Sequence, residues 1–129
     1  MVDERSEIAA MYKGIPQNDI GVKTDILDSA PKAIGMKMLI RSMAPNVISA
    51  DEIGSFADSE AINYAICSGI KGIFTAHGDS ILDLKLNPAI GGLLDMFIFE
   101  RIVILDSKNK GQLKNVYKLD KNLKKYVIY

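Results

Sequence analysis

Apolar positions along the chain alternate between short continuous runs and helical faces. Met36, Leu39, Ile40 and Met43 fall at i, i+3, i+4 and i+7, which predicts a helix that begins after Pro31 and stops before Pro45. The run Val47–Ala50 reads as a short buried strand ending on Asp51-Glu52. Ser55-Phe56-Ala57-Asp58 then has the form of a capping box, in which the serine hydroxyl accepts a helix N–H. Ala57, Ala61, Ile62, Ala65 and Ile66 carry that helix until Gly69 closes it.

A second buried strand is expected over 72–76, ending on His77-Gly78. Ser80-Ile81-Leu82-Asp83 repeats the capping pattern and opens a short helix stopped near Pro88, with a further helix or turn over 88–97. A third strand is expected over 99–105, and Lys108–Gly111 reads as a hairpin turn into 113–119. At the other end, Val2 opens almost inside a strand. Residues 13–31, punctuated by Gly14, Pro16, Asn18, Gly21 and Pro31, read as a long loop. The alternation of strand and helix predicts an α/β fold with a mostly parallel sheet, followed by an antiparallel hairpin.

Composition narrows the class. A chain of 129 residues with 48% apolar and 25% charged residues suits a globular protein of one-domain size. No apolar run is long enough to span a bilayer, and no signal peptide opens the chain. The single Cys67 excludes an internal disulfide, and with the single His77 it cannot build a Cys/His zinc site, so a reducing, cytoplasmic setting is expected.

The net charge of zero conceals a split. Residues 1–105 carry nine Lys/Arg against fourteen Asp/Glu, and residues 106–129 carry seven Lys against two Asp. The lysine-rich end lacks an aromatic stacking motif, so it reads as a solvated hairpin and no nucleic-acid partner is expected.

Three places put polar residues at the end of an expected strand: Asp3-Glu4, Asp51-Glu52 and Thr75–His77. Ligands of open parallel sheets bind outside those carboxyl ends. Asp51-Glu52 is either two solvated residues opening a loop or a Walker-B-like pair. In the second case one carboxylate orients Mg²⁺ and the next polarises the attacking water. Asp3-Glu4 carries the same two readings, and His77 is either a structural histidine or part of the same site. Arg5, Arg41 and Arg101 are the only arginines, each a candidate phosphate or subunit contact against the alternative of a surface ion pair.

These segments together resemble the stage III sporulation protein AA family. The matching stretches are Val2–Ala9, Gly14–Asp19, Thr24–Asp28, Pro31–Ala33, Met38–Pro45, Asp51–Gly54 and Thr75–Gly78, all in order. The resemblance implies a partial RecA-like P-loop NTPase core over 1–105 and a basic hairpin extension over 106–129. It further implies an ATPase similar to the hexameric ATPases of type II and type IV secretion, energising a channel between mother cell and forespore. By that resemblance Asp3-Glu4 is the acidic box, Asp51-Glu52 is Walker B, and His77 is the histidine-box residue near the γ-phosphate. Glu52, Glu4 and His77 would be catalytic. Asp51, Asp3, Thr75, Arg41 and Arg5 would bind the nucleotide, with Asp51 also on Mg²⁺.

ATP, a homo-hexamer, and membrane components of a secretion-like complex are the implied partners, in the mother-cell cytoplasm. No Gly-x-x-x-x-Gly-Lys-Ser/Thr occurs in the chain, and that loop cradles the phosphates. The chain is therefore expected to be a fragment, inactive alone. The alternative is a scaffold or binding module of the same fold that naturally lacks the loop. Ser55 stands where the family more often has arginine, and Ser29-Ala30 and Ile34 also depart from its pattern.

Overall fold

The helix expected after Pro31 is present in the computed structural model, which describes residues 1–129, as α1 (Lys32–Met43). It ends where Ala44 takes a left-handed conformation (φ 44°) just ahead of Pro45. Met36 and Ile40 are buried as the periodicity requires, whereas Met43 in the last turn is exposed. The chain divides into two compact units, Met1–Ala76 and His77–Tyr129.

The first unit is a four-stranded parallel sheet in the order β2-β1-β3-β4, built from β1 (Val2–Asp3), β2 (Leu27–Asp28), β3 (Val47–Ala50) and β4 (Lys71–Phe74). Helix α1 packs on β1 and β3, α2 (Phe56–Cys67) packs on β4, and the two helices pack on each other. Val2, Ile48, Ala50, Ala61, Ile62 and Ala65 fill the core between them. The capping box at Ser55 is complete: Ser55 Oγ accepts from Asp58 N–H at 3.1 Å and Asp58 returns the bond to Ser55 N–H at 3.0 Å.

Two expectations for this unit need correction. Residues 13–31 are not loop throughout, because Leu27-Asp28 adds a parallel edge strand to β1. The strand expected over 72–76 lies at Lys71–Phe74 and is mostly exposed rather than buried. It pairs only with β3, and an edge strand has one side without a neighbour.

The second unit holds α3 (Ile81–Leu86), α4 (Pro88–Asp95) and a three-stranded antiparallel sheet of β5 (Arg101–Leu105), β6 (Leu113–Asp120) and β7 (Lys125–Ile128). Asn87 ends α3 and caps α4, accepting from Ala89 N–H at 2.9 Å, with Pro88 in the first helical position. The third strand of the alternation therefore does not extend the parallel sheet. The turn after Leu105 returns the chain at once, so its nearest partner is the antiparallel β6. Along β5 only Ile102 and Ile104 are buried. The fold is α/β, with a parallel sheet flanked by helices and an antiparallel C-terminal hairpin. No helix is long and apolar enough to cross a membrane.

Candidate functional site

Parallel strands bring their carboxyl ends to one edge, and in the first unit that edge gathers Glu4 and Arg5 after β1, Asp51 and Glu52 after β3, and Thr75 after β4. The amino-terminal turns of α1 and α2 lie at the same edge. Between them opens a cleft of about 610 Å³ whose lining includes Glu4, Arg5, Lys32, Glu52, Ser55 and Asp58. The first turn of α1 carries no side-chain cap, since its N-cap is Pro31.

Asp51 is the most unusual group here. Its side chain is only 9% exposed, and both carboxylate oxygens are buried without a hydrogen-bond donor. The nearest cation is the Lys32 ammonium, 3.7 Å from Oδ1, which also lies 3.2 Å from Glu4 Oε2. The acidic pairs of β1 and β3 are thus bridged by one lysine, itself 10% exposed. No three His, Cys, Asp or Glu side chains converge as a ready-made metal cage.

Glu52 sits in the left-handed region at φ 32°, a conformation unfavourable for a side chain with a Cβ. Thr75 holds it there: Thr75 Oγ1 accepts from Glu52 N–H at 2.8 Å, and Thr75 C=O accepts from Ile53 N–H at 2.8 Å. The Glu52 carboxylate accepts from the Arg5 guanidinium, which also donates to Glu7 at 3.1 Å. The hydrogen bond that Arg5 donates to Glu52, then the charges of Glu7, Glu52 and Asp51, push the Arg5 pKa above its ordinary value.

Two further carboxylates face the backbone. Asp3 is fully buried and accepts from the N–H groups of Glu7 (2.9 Å), Ile8 (3.1 Å) and Ala9 (2.8 Å), anchoring the turn after β1. Asp58 is buried in its capping box and also accepts from Gly54 N–H at 3.3 Å.

Of the residues expected from sequence, Glu4, Arg5, Asp51 and Glu52 come together, with Thr75 bonded at the rim. Arg41 lies in the last turn of α1, about 13 Å along the helix axis from Lys32. His77 is the exposed first residue of the second unit. Lys32 was missed as a site residue, although it carried a signal. A lysine in the first turn of a helix opposes the helix dipole, and α1 has no acidic residue there to offset it, so a cation in that place requires carboxylates from elsewhere.

Comparison with known sequences shows the family of the chain. The model of the family described as "Sporulation stage III, protein AA" matches residues 1–123. The chain belongs to that family. It is 43% identical over 124 residues to Stage III sporulation protein AA of Bacillus subtilis (strain 168). That alignment takes in 95% of this chain and 40% of the relative, so the chain spans less than half of the relative's length. No solved structure matches the chain. The lysine-bridged acidic edge lies wholly inside the segment matched to the sporulation stage III protein AA family.

Proposed function

We propose that the carboxyl edge of the parallel sheet is the acidic side of an ATP-hydrolysing site of RecA-like type, working in sporulation. The observation that carries this reading is Asp51, a buried carboxylate with no hydrogen-bond donor at the end of a central strand, followed directly by a glutamate in a constrained backbone. Such an arrangement suits Mg²⁺. That ion takes hard oxygen ligands, and in nucleotide sites it uses one or two carboxylates, completing its shell with water and phosphate. When bound, Mg²⁺ would neutralise charge on the transferred phosphoryl group.

Asp51 is the residue to hold that ion. Glu52 is the base for the attacking water, and its fixed main chain keeps the carboxylate at the cleft. Glu4, across the Lys32 bridge, shares the same acidic edge. Arg5 lies where it can exchange Glu52 for phosphate, as a guanidinium does readily. The uncapped first turn of α1 adds main-chain N–H groups to the cleft wall. Asp3 and Thr75 serve by holding the turns after β1 and β3.

By resemblance to the secretion ATPases, the protein assembles as a homo-hexamer that takes ATP and works in the mother-cell cytoplasm. Its partners there are membrane components of a secretion-like complex. His77 and Arg41 belong to this reading as residues that reach nucleotide in the assembled ring. The phosphate-binding loop, absent from these 129 residues, would come from other sequence.

The test is ATP turnover by the full-length protein. Glu52→Gln lowers turnover about 100-fold or more while nucleotide binding persists. A Glu52→Gln protein that turns over ATP at the unsubstituted rate removes Glu52 as the base. The 129-residue chain alone should show no Mg²⁺-dependent turnover. Activity from it would contradict the need for a separate phosphate-binding loop.

A further inference from the structure

We propose that the Lys32 ammonium is a built-in stand-in for the divalent cation, one that a metal ion must displace from Glu4 and Asp51 in order to bind. This deepens the reading above and rests on Asp51 being the metal-holding carboxylate.

The geometry of the lysine is that of an occupant rather than a fully seated partner. Its nitrogen lies 3.2 Å from Glu4 Oε2 but 3.7 Å from Asp51 Oδ1, too far for a hydrogen bond to the buried carboxylate. Asp51 therefore gains the nearby positive charge while both its oxygens stay without a donor. Burial makes this costly, since a buried carboxylate needs both charge compensation and direct ligands. A small cation that binds the oxygens directly supplies both, and the lysine supplies only the first.

Helix geometry does not account for the lysine either. The first turn of α1 presents the positive end of the helix dipole, and a cation there is disfavoured. What keeps Lys32 in place is the pair of carboxylates. Once they are taken, dipole and metal both repel the ammonium. It has an exit, because Lys32 lines the open cleft and its four-carbon stem can carry the charge outward.

Without a nucleotide, the lysine and the metal compete for the same oxygens, and the site takes metal weakly. Phosphates in the cleft shift that balance twice, by adding ligands to the metal and by giving the displaced ammonium an anion. Metal and nucleotide accordingly load together rather than metal first.

Mn²⁺ titration of the 129-residue chain, followed by the electron-spin resonance of the free ion, tests the competition. Lys32→Met is expected to bind Mn²⁺ about tenfold or more tightly than the unsubstituted chain, and Lys32→Met/Asp51→Asn is expected to lose that gain. Equal affinity in Lys32→Met and the unsubstituted chain, with Asp51→Asn alone weakening binding, overturns the displacement and leaves Asp51 as a ligand. Absence of binding in every variant overturns both.

Lys32→Met leaves two carboxylates without their cation and can prevent folding. Amine acetylation of the unsubstituted chain, read by mass spectrometry, avoids this difficulty. Mn²⁺ is expected to raise labelling of Lys32 several-fold relative to Lys37, and unchanged labelling of Lys32 overturns the proposal.

Discussion

Gly35 of α1 approaches Val2 of β1 so closely that a Cβ at Gly35 would lie 2.8 Å from Val2 Cγ1. The same added carbon would lie 3.1 Å from Leu27 Cδ2 on β2. This contact sets the height of α1 over the strands, and with it the place of Lys32 above Glu4 and Asp51. Alanine would improve helix propensity by about 1 kcal/mol, but overpacking against a β-branched valine with little rotamer freedom costs about 1–3 kcal/mol. Gly35→Ala is therefore expected to lower stability by about 1 kcal/mol and Gly35→Val by more, as read from urea unfolding. A Gly35→Ala protein more stable than the unsubstituted chain would show that α1 can shift without cost.

Asp3 presents a different kind of constraint. Its carboxylate accepts three main-chain N–H groups in the turn after β1, and Asp3→Asn replaces one acceptor oxygen with a donor facing those donors. The expected loss is about 2–4 kcal/mol, measured by urea or thermal unfolding. A loss below that of an ordinary surface substitution would argue against the carboxylate as the turn's anchor.

How far these features were legible in the sequence depends on whether their cause is local. Strand β3 and the start of α2 could be read because an apolar run and a capping box are written in adjacent residues. The exposure of β4 could not, since it follows from the strand's place at the edge of the sheet order. In β5, Val103 and Leu105 point outward although they are apolar, which hides the alternation that marks a one-faced strand. At the site, Asp51 and Glu52 were visible as carboxylates after a strand. The role of Asp3 was not, because its partners are main-chain groups positioned by a turn. Lys32 was missed because its carboxylate partners follow two other strands, far from it along the chain.

Thr75 and Glu52 share a bond that can be cut without touching the carboxylate. Thr75→Val removes the oxygen that accepts from Glu52 N–H, while Thr75→Ser keeps it. Amide hydrogen exchange at Glu52 is expected to quicken in Thr75→Val and to stay unchanged in Thr75→Ser. Since Glu52 is held at positive φ, Glu52→Gly should also be more stable than Glu52→Ala by about 1 kcal/mol. Equal exchange at Glu52 in the two Thr75 variants would remove the hydroxyl as the device that fixes this turn.

In the second unit, Asp106 organises the turn between β5 and β6. Its carboxylate accepts from the Asn109 side chain at 3.1 Å and from the main-chain N–H groups of Lys108 (2.7 Å) and Asn109 (3.2 Å). These bonds, the one from the Asn109 side chain foremost, hold its pKa below the ordinary aspartate value. A folded-state value below the unfolded one means that the carboxylate favours the folded turn at any pH above the unfolded value. That contribution fades as pH falls through the lowered folded value. Asn109→Ala is expected to move the Asp106 titration upward, toward but not fully to the ordinary value, because two main-chain donors remain. Carbon-detected NMR titration of the side-chain carboxyl reads this directly. An Asp106 that titrates at the ordinary value in the unsubstituted chain would mean that the turn does not hold these bonds in solution.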